Sequence, residues 1–306
     1  MIARPPAPGD LEVVLALLRA ADASVAGDSD WTTSDLRAEW ERLDLERDAW
    51  VVELDGAAAG YASLEAKGGR MLADGYVDPV RRGRGVGSEL VRLTEERARA
   101  ELPEVQAGER VYLQNATLDT DEATVGFYRG RGYQPVRSFR GMQIDLEDEP
   151  DVPDVPGIEL RLYRHPEEAR AFHAAHQDAF ASHWEFRPVP WEEWRKRQEK
   201  DTFDPTLWWV AAAGDEMAGV SICEHKRDPA LGWVEALGVR PAFRRRGVAA
   251  ALLETAFAEF WRRGERRVGL GVDGESPTGA TRLYERAGMS TLWHAVVWEK
   301  ELRARG

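Results

Sequence analysis

The chain has 306 residues, and 43% of them are apolar, which at about 150 residues per domain is enough for two buried cores. Acidic residues outnumber basic ones by 54 to 41, and the net charge of −13 argues against a surface that follows the phosphates of nucleic acid or anionic lipid. No stretch approaches the ~20 apolar residues of a membrane span, and the single cysteine, Cys223, excludes an intrachain disulfide. We therefore expect a cytoplasmic protein that binds neither nucleic acid nor membranes.

The first half of the chain opens with only a short strand, Met1–Arg4. Further on, a predicted strand ends at Val77, and the segment Val77-Asp-Pro-Val-Arg-Arg-Gly-Arg-Gly-Val-Gly87 leads into an amphipathic helix. A later helix carries Phe-Tyr128-Arg-Gly-Arg-Gly132 at its end.

The middle of the chain is predicted to be a linker. Residues 146–157 contain three prolines and five acidic side chains, which remove backbone donors and repel one another. We expect an N-terminal domain at 1–148, an exposed acidic linker at 149–157 and a C-terminal domain at 158–306.

The second half is predicted to alternate strands and helices. Strands are expected at 158–163, 207–213, 217–225, 231–239, 267–272 and 293–298, and helices at 167–180, 191–200, 248–263 and 277–286. The third of these helices has an apolar stripe at Leu252, Leu253, Ala256, Phe257 and Phe260. Ser276 is expected to cap the last helix and Gly288 to close it.

Two signatures occur twice and in the same order. The loop after Val77 matches the loop after Val239, Val-Arg-Pro-Ala-Phe-Arg-Arg-Arg-Gly-Val-Ala249, at an offset of 162 residues. The segment around Tyr128 matches that around Tyr284 at an offset of 156. The chain is therefore predicted to contain a duplicated domain.

Each loop has the pattern Arg-x-x-Gly-x-Gly/Ala between a strand and a helix. Small residues there let backbone N–H groups close around a phosphate, and the helix dipole favours its charge. In so acidic a protein, the arginines at both loops mark places where an anion would dock, although a tight turn with solvated arginines is the plainer alternative. A P-loop is excluded because no Gly-Lys-Ser/Thr occurs, and the dinucleotide pattern fails at Ser88 and Ala250.

Together these motifs resemble the acetyl-CoA-binding core of the GNAT N-acetyltransferases, over essentially the whole chain. The resemblance implies an α/β fold with two tandem GNAT domains, each a mixed twisted sheet flanked by helices. The tandem arrangement and the segment Ser276-Pro-Thr-Gly-Ala280 are similar to the mycothiol-synthase-like subgroup.

The resemblance also implies that acetyl-CoA binds along a splayed strand and its loop. The residues implied are Leu237, Gly238, Val239, Arg244, Arg245, Arg246, Gly247, Val248 and Ala249 in the second copy, and Val77, Arg82, Gly83, Arg84, Gly85, Val86, Gly87 and Tyr128 in the first.

Acetyl transfer to an amine requires a neutral amine, so a base is useful. Glu235 interrupts an apolar strand, and strand alternation predicts that it shares a face with Leu237 and is partly desolvated. A solvated or ion-paired glutamate is the structural alternative, and a water network could also serve as the base. Tyr284 is the candidate acid, because by resemblance it protonates coenzyme A.

The first copy has Ala73 where the constant offset places Glu235, and alternation directs its nearest acid, Asp74, to the opposite face. We therefore expect the first copy to be catalytically degenerate and the second to do the chemistry. The glutamate of the mycothiol-synthase-like subgroup stands two residues earlier, where this chain has Trp233.

The acceptor is predicted to be a primary amine on a small polar molecule, with His183, Trp184 and Glu185 as candidate contacts. Two alternatives stay open: a mycothiol synthase that acts on the desacetyl mycothiol precursor, and a catalytically silent module that binds coenzyme A. No metal is expected, because the histidines at 173, 176 and 183 lack completing ligands.

Overall fold

The computed structural model describes residues 1–27, 29, 31–199, 203–227 and 230–306. These residues form two compact units. Unit 1 consists of Met1–Ser138 with His294–Gly306, and unit 2 consists of Phe139–Trp293.

Unit 1 is a mixed sheet flanked by helices. Its elements are β1 (Ile2–Arg4), α1 (Leu11–Ala26), α2 (Thr33–Arg42), α3 (Leu45–Asp48), β2 (Ala49–Leu54), β3 (Ala57–Lys67), β4 (Arg70–Val77), α4 (Val86–Ala100), β5 (Val111–Leu118) and α5 (Glu122–Gly130). The strand order is β1-β2-β3-β4-β5, followed by β12 (Ser290–Arg303). Neighbouring strands are antiparallel except β4 and β5, which are parallel.

Unit 2 repeats this plan. Its elements are β7 (Glu159–Leu162), α6 (Ala169–Phe180), α7 (Trp191–Trp194), β8 (Trp208–Ala213), β9 (Glu216–Arg227), β10 (Ala230–Val239), α8 (Val248–Arg262), β11 (Arg267–Asp273) and α9 (Ala280–Arg286). The order is β7-β8-β9-β10-β11, followed by β6 (Gln134–Asp145), and β10 and β11 are the parallel pair. The predicted α/β fold of two mixed sheets with flanking helices is confirmed.

The two units differ from the predicted domains at their ends. Residues 139–148 belong to unit 2, and residues 294–306 belong to unit 1. Each sheet therefore ends on the last strand of the other repeat. β12 pairs with β5 from Ala295 onwards and buries Trp298 to 1% exposure, whereas β6 pairs with β11 from Phe139 onwards.

The parallel strand pair opens in both units. β4 pairs with β5 only over Arg70–Leu72, and β10 pairs with β11 only over Gly232–Val234. Beyond these three positions the strands part, so within the described ranges the last residues of β4 and β10 pair with no strand on that side. The splay that the family resemblance implied is present twice.

Helices α4 and α8 cover one face of their sheets. The predicted stripe of α8 is buried as expected, and Phe260 lies so close to β10 that a Cβ on Gly232 would come within 2.7 Å of its ring. In unit 1, a Cβ on Gly60 of β3 would approach the Val86 side chain to 2.6 Å. Glycine is required at both places by the close approach of helix and sheet.

Four local predictions need correction. Helix α9 begins at Ala280 after the left-handed Gly279, so Ser276 does not cap it. The helix expected at 191–200 ends at Trp194 and continues as a 3₁₀ segment to Glu199, while residue 200 lies outside the described residues. The linker is not exposed throughout, because Val155 is buried against α8. The strand expected at 293–298 runs over Ser290–Arg303.

No helix within the described ranges combines the length and the apolarity that crossing a membrane requires.

Candidate active site

The same loop precedes α4 in unit 1 and α8 in unit 2. A 3₁₀ turn follows the strand, and the helix then starts at a left-handed glycine, Gly85 (φ 86°) or Gly247 (φ 87°), with no described side chain capping it. First-turn amides of a helix have no acceptor within that helix. Both loops therefore present N–H groups, at the positive end of a helix dipole, to a ligand that binds against the loop.

The loops differ at one position. Gly83 of unit 1 adopts φ 75°, and its counterpart in unit 2 is Arg245, which adopts φ 61°. A non-glycine residue there is strained, since the left-handed region places Cβ near the following carbonyl. Unit 2 accepts that strain and gains a cation in the loop.

The matched arginines hold the loop to the first helix of each unit. Arg82 donates from Nη2 to the Ser24 hydroxyl at 2.7 Å, and Arg244 donates from Nη2 to the Ala179 carbonyl at 3.0 Å. They therefore brace the loop as well as adding positive charge. Arg84 instead pairs with Asp55 at 2.8 Å.

Each loop forms the floor of a cleft. The unit 2 cleft has a volume of about 1130 Å³ and brings together many predicted residues: Leu237, Gly238, Val239, Arg244, Arg245, Gly247, Val248, Ala249, His183 and Tyr284. Four predicted residues do not line it, namely Arg246, Trp184, Glu185 and Glu235.

The unit 1 cleft is smaller, about 600 Å³. Of the predicted residues it collects Val77, Arg82, Gly83, Gly85, Val86, Gly87 and Tyr128, but not Arg84. It also contains Tyr76 and the loop residue Arg81, together with Asp22 and Asp74, which the sequence analysis did not place in a site.

A buried tyrosine stands at the matching place in each cleft. Tyr284 is 6% exposed, and burial raises its pKa to about 12. Tyr128 is 5% exposed, and its pKa is raised by burial and by the nearby charges of Asp74 and Asp121. Both phenols keep their protons at neutral pH, as a proton donor must.

Glu235 is not the desolvated strand carboxylate that was predicted. It is exposed, and it is the extra residue of a β-bulge, because Val234 pairs with Cys223 and Ala236 with Ile222, which leaves Glu235 without a partner residue on β9. The bulge reverses the alternation. Leu237 packs towards α8, whereas Glu235 accepts a hydrogen bond from Trp233 Nε1 at 3.3 Å. The predicted shared face with Leu237 is therefore wrong.

The bulge also changes the counterpart in unit 1. Val77 pairs with Gly60 and Val239 with Gly219, which fixes the strand ends. Four residues further along each partner strand, Leu64 of β3 pairs with Ala73, and Cys223 of β9 pairs with Val234. Ala73 therefore matches Val234, and Glu235 has no equivalent in β4, which is regular throughout.

Asp74 occupies the face that the sequence analysis discounted. It lies opposite Ala73, as alternation required, but this is the face towards α1, where the cleft opens. Its side chain opens into the cleft and is otherwise surrounded by protein. Asp74 is exposed to the cleft. Desolvation by the protein packed around it, together with the charges of Glu39, Asp22 and Glu65, raises its pKa to about 6. The first helices carry acidic side chains that lie near this strand, Asp22 on α1 and Glu39 on α2. These acids were the signal that could have identified Asp74 as a site residue.

Of the three predicted acceptor contacts, only His183 reaches the unit 2 cleft. Its ring lies 4.6 Å from that of Phe180, which stacks on His176 at 4.7 Å. His176 is buried, and desolvation together with Arg197 and the neighbouring histidines lowers its pKa to about 4. Trp184 lies instead beside Phe139, with ring centroids 6.3 Å apart.

Comparison with known proteins gives one consistent result. The acetyltransferase (GNAT) family model matches residues 16–133 and again 176–289. Mycothiol acetyltransferase from Geodermatophilus obscurus is 30% identical over 303 residues, which cover 96% of this chain and 95% of the relative. Mycothiol acetyltransferase from Beutenbergia cavernae is 33% identical over 253 residues, with 79% and 80% covered.

Solved structures agree. A GCN5-related N-acetyltransferase from Sphaerobacter thermophilus superposes with a TM-score of 0.87 at 34% identity, covering 99% of this chain and 96% of that one. A tandem GNAT protein from the clavulanic acid biosynthesis pathway has a TM-score of 0.77 at 17% identity, with 98% of both chains covered, and so shares the fold. With two glycine loops, two splayed strands and two family matches, the chain belongs to the GNAT family and is a tandem-domain acetyltransferase.

Proposed function

We propose that unit 2 transfers the acetyl group of acetyl-CoA to the primary amine of a small polar molecule. The observation that carries this proposal is the meeting of three features in one cleft: the open helix N-terminus, the splayed end of β10 and the buried Tyr284.

The residues of the cleft suit acetyl-CoA. The amides around Gly247, Val248 and Ala249 and the guanidinium of Arg245 would hold its pyrophosphate. The unpaired backbone of Leu237–Val239 would hydrogen-bond to the pantetheine arm. Acetyl-CoA supplies the reaction with an acetyl thioester, which an amine can attack. The Ala249 methyl fits where unit 1 has Gly87, since a Cβ there would meet its neighbours no closer than 3.6 Å.

The amine must reach the cleft without its proton. At pH 7 an alkylammonium with a pKa of ~10.4 is about 3.4 units from neutrality, which costs about 4 to 5 kcal/mol. Glu235 is exposed at the bulge and outside the cleft lining, so it would accept this proton through water, oriented by Trp233 Nε1.

Tyr284 would donate a proton to the departing sulfur. Its burial keeps the phenol protonated until the carbon–sulfur bond breaks, and after it has protonated the sulfur, solvent returns a proton to the phenolate. Backbone N–H groups on the open side of β10 would stabilise charge on the thioester oxygen.

A second candidate acceptor is the amine of the desacetyl mycothiol precursor. It is favoured by relatives named mycothiol acetyltransferase that match this chain along nearly its whole length. Nothing in the clefts favours a silent coenzyme A-binding module over an enzyme.

Unit 1 has the same loop, so we also propose that it binds acetyl-CoA. Calorimetry should give two sites per chain, and Gly87→Glu should leave one, because a carboxylate at the helix N-terminus repels the pyrophosphate. One site in the unaltered chain would reject a cofactor role for unit 1.

The test of the reaction is thiol release from acetyl-CoA with a panel of amines that includes the mycothiol precursor. Ala249→Glu should abolish turnover of small monoamines and of the mycothiol precursor, and Glu235→Gln should lower it at least tenfold. Asp44→Asn, which removes an exposed carboxylate outside both clefts, is the control that should leave it within twofold. Tight acetyl-CoA binding without turnover of any amine would instead support the silent module.

A further inference from the structure

The unit 1 cleft contains an acid and a base of its own. Asp74 and Asp22 line one wall, the glycine loop forms the floor, and Tyr128 stands on α5. The Asp74 charge is close enough to Tyr128 to raise the pKa of that phenol. In unit 2, burial raises the pKa of Tyr284. Unit 1 therefore places a carboxylate and a phenol in one cleft.

A buried donor beside Tyr128 is unpaired. Asn115 is 5% exposed, its Oδ1 accepts the Tyr128 hydroxyl at 3.2 Å, and its Nδ2 has no hydrogen-bond partner within the described chain. Such a donor is costly to leave unmet. Rotation of the amide by 180° would let Nδ2 donate to the Tyr128 oxygen, which frees the phenol proton to point towards the cleft.

The groups that face Asp74 are mostly acidic. Asp22 faces it from α1, Glu39 from α2 and Glu65 from β3, with the phenols Tyr76 on its own strand and Tyr128 on α5. Glu39 accepts the Tyr61 hydroxyl at 2.8 Å, and Asp22 accepts the Ser29 hydroxyl at 3.1 Å.

Lys67 offsets the charge of one of these acids, and the loop arginine Arg82 is bonded to α1. Lys67 pairs with Glu65 at 3.1 Å, and Arg82 donates to Ser24. The amine-facing end of the cleft therefore keeps an excess of negative charge, which favours a ligand with more than one ammonium group.

We propose that unit 1 is a second acetyltransferase site, in which Asp74 is the base, Tyr128 is the acid and the acceptor is a di- or polyamine. The neutral amine nitrogen bonds to the acetyl carbon and the carbon–sulfur bond breaks. The surplus N–H proton goes to the Asp74 carboxylate, and the Tyr128 proton goes to the leaving sulfur. The products are an N-acetylamine and the coenzyme A thiol, and proton exchange with solvent restores both residues.

This proposal rests on acetyl-CoA binding by unit 1, and it departs from the expectation that the first copy is degenerate. That expectation depended on Ala73, which the bulge shows to be the wrong counterpart. The acceptors of the two units differ in kind, because the first helix of unit 1 contributes Asp22 to its cleft beside Asp74 of β4, whereas the segment after α6 contributes His183 to the cleft of unit 2.

The test uses the full chain with the unit 2 loop closed by Ala249→Glu. This protein should release thiol from acetyl-CoA with putrescine or spermidine, and adding Asp74→Asn should lower the rate at least tenfold. Asp44→Asn, which removes an exposed carboxylate of the same unit without a cap bond, is the matched control and should change the rate less than twofold.

Two readouts separate a base from a structural residue. With Asp74 present, the spermidine rate of the Ala249→Glu protein should fall on the acid side as pH drops through about 6, and Asp74→Asn should remove that limb. Calorimetry of spermidine binding should show at least a fivefold loss on Asp74→Asn.

Asp74→Asn should also raise the melting temperature at pH 7, because it removes a crowded charge. A fall in melting temperature would contradict this account of the recess.

The failures are distinguishable. If wild type acetylates a monoamine but the Ala249→Glu protein is inert with every amine, the second site is rejected and the proposed function stands. If the Ala249→Glu protein is active and Asp74→Asn leaves its rate and pH profile unchanged, Asp74 is not the base. If no protein turns over any amine although acetyl-CoA binds, the proposed function fails as well.

Discussion

Strands β4 and β10 occupy the same place in the two units, end in the same loop and differ by one inserted residue. β4 is regular, and its carboxylate, Asp74, lies in the cleft, whereas β10 has a bulge that carries Glu235 outside it. A duplicated domain can thus keep its anion-binding floor while a single insertion moves the charge on the wall. The floor depends on backbone geometry, which both units share, whereas the charge of the wall depends on single side chains, which differ.

Removal of the last strand, β12, is expected to produce the largest difference between the two units. A chain that ends at Trp293 should lose the folded state of unit 1 and keep that of unit 2, because β12 supplies Trp298 and the partner strand of β5. Calorimetry or hydrogen exchange should show one surviving unit. Loss of the unit 2 transition instead would contradict the observed division.

Replacement of each cleft tyrosine by phenylalanine tests the two candidate sites separately. Tyr284→Phe should lower monoamine turnover by about 100-fold, within the range of a lost proton donor, while Tyr128→Phe should lower only polyamine turnover in the Ala249→Glu protein. The measurement is thiol release with each class of amine. Equal losses for both amines in either variant would show that one cleft does all the chemistry.

Two titrating groups give the units opposite pH responses. The pKa of His176 is lowered to about 4, so the folded state binds its proton less tightly, and stability is lost as pH falls from about 6.5 to 4. The gap in unfolding free energy between wild type and His176→Phe should change by about 3 kcal/mol over that range.

Asp74 acts in the other direction. Its pKa is raised to about 6, so the protein loses stability as pH rises from about 4 to 6. The gain in unfolding free energy from Asp74→Asn, relative to wild type, should therefore be largest above pH 6. Denaturant unfolding at pH 4, 5 and 6.5 measures both differences. The same sign for both would refute these assignments.

The smallest expected effects come from the left-handed loop position. Gly83→Ala should cost about 1 kcal/mol of stability, since a Cβ at φ 75° meets no neighbour but strains the backbone. Arg245→Gly relieves such strain and adds chain entropy, so it should change stability by less than about 0.5 kcal/mol while weakening acetyl-CoA binding. Thermal melts and calorimetry check both.

The sequence predicted what local chemistry dictates. The glycine loops, the apolar stripe of α8 and the paired tyrosines follow from residue type and spacing. In each unit, the structure places the loop and its tyrosine in one cleft. The bulge could not be predicted, because Glu235 interrupts an alternation that reads equally well as regular strand. Asp74 was discounted because the constant offset made Ala73 the counterpart of Glu235, so the face opposite Ala73 was expected to lie away from the site.

The assignment of the last strands also lay beyond the sequence. β6 and β12 each follow the last helix of a repeat, and their residues alone do not indicate which of the two sheets each strand completes. Which sheet each one joins is decided by burial of side chains such as Trp298 and Met142 in the finished units.

That exchange sets an order of events during synthesis. The amino-terminal unit emerges first from the ribosome but stays without its final strand until residues 294–306 have been made, so β5 keeps an unpaired edge while the whole of unit 2 is translated. Unit 2 holds all of its own residues by Trp293 and can complete its fold first, which reverses the usual order for a two-domain chain.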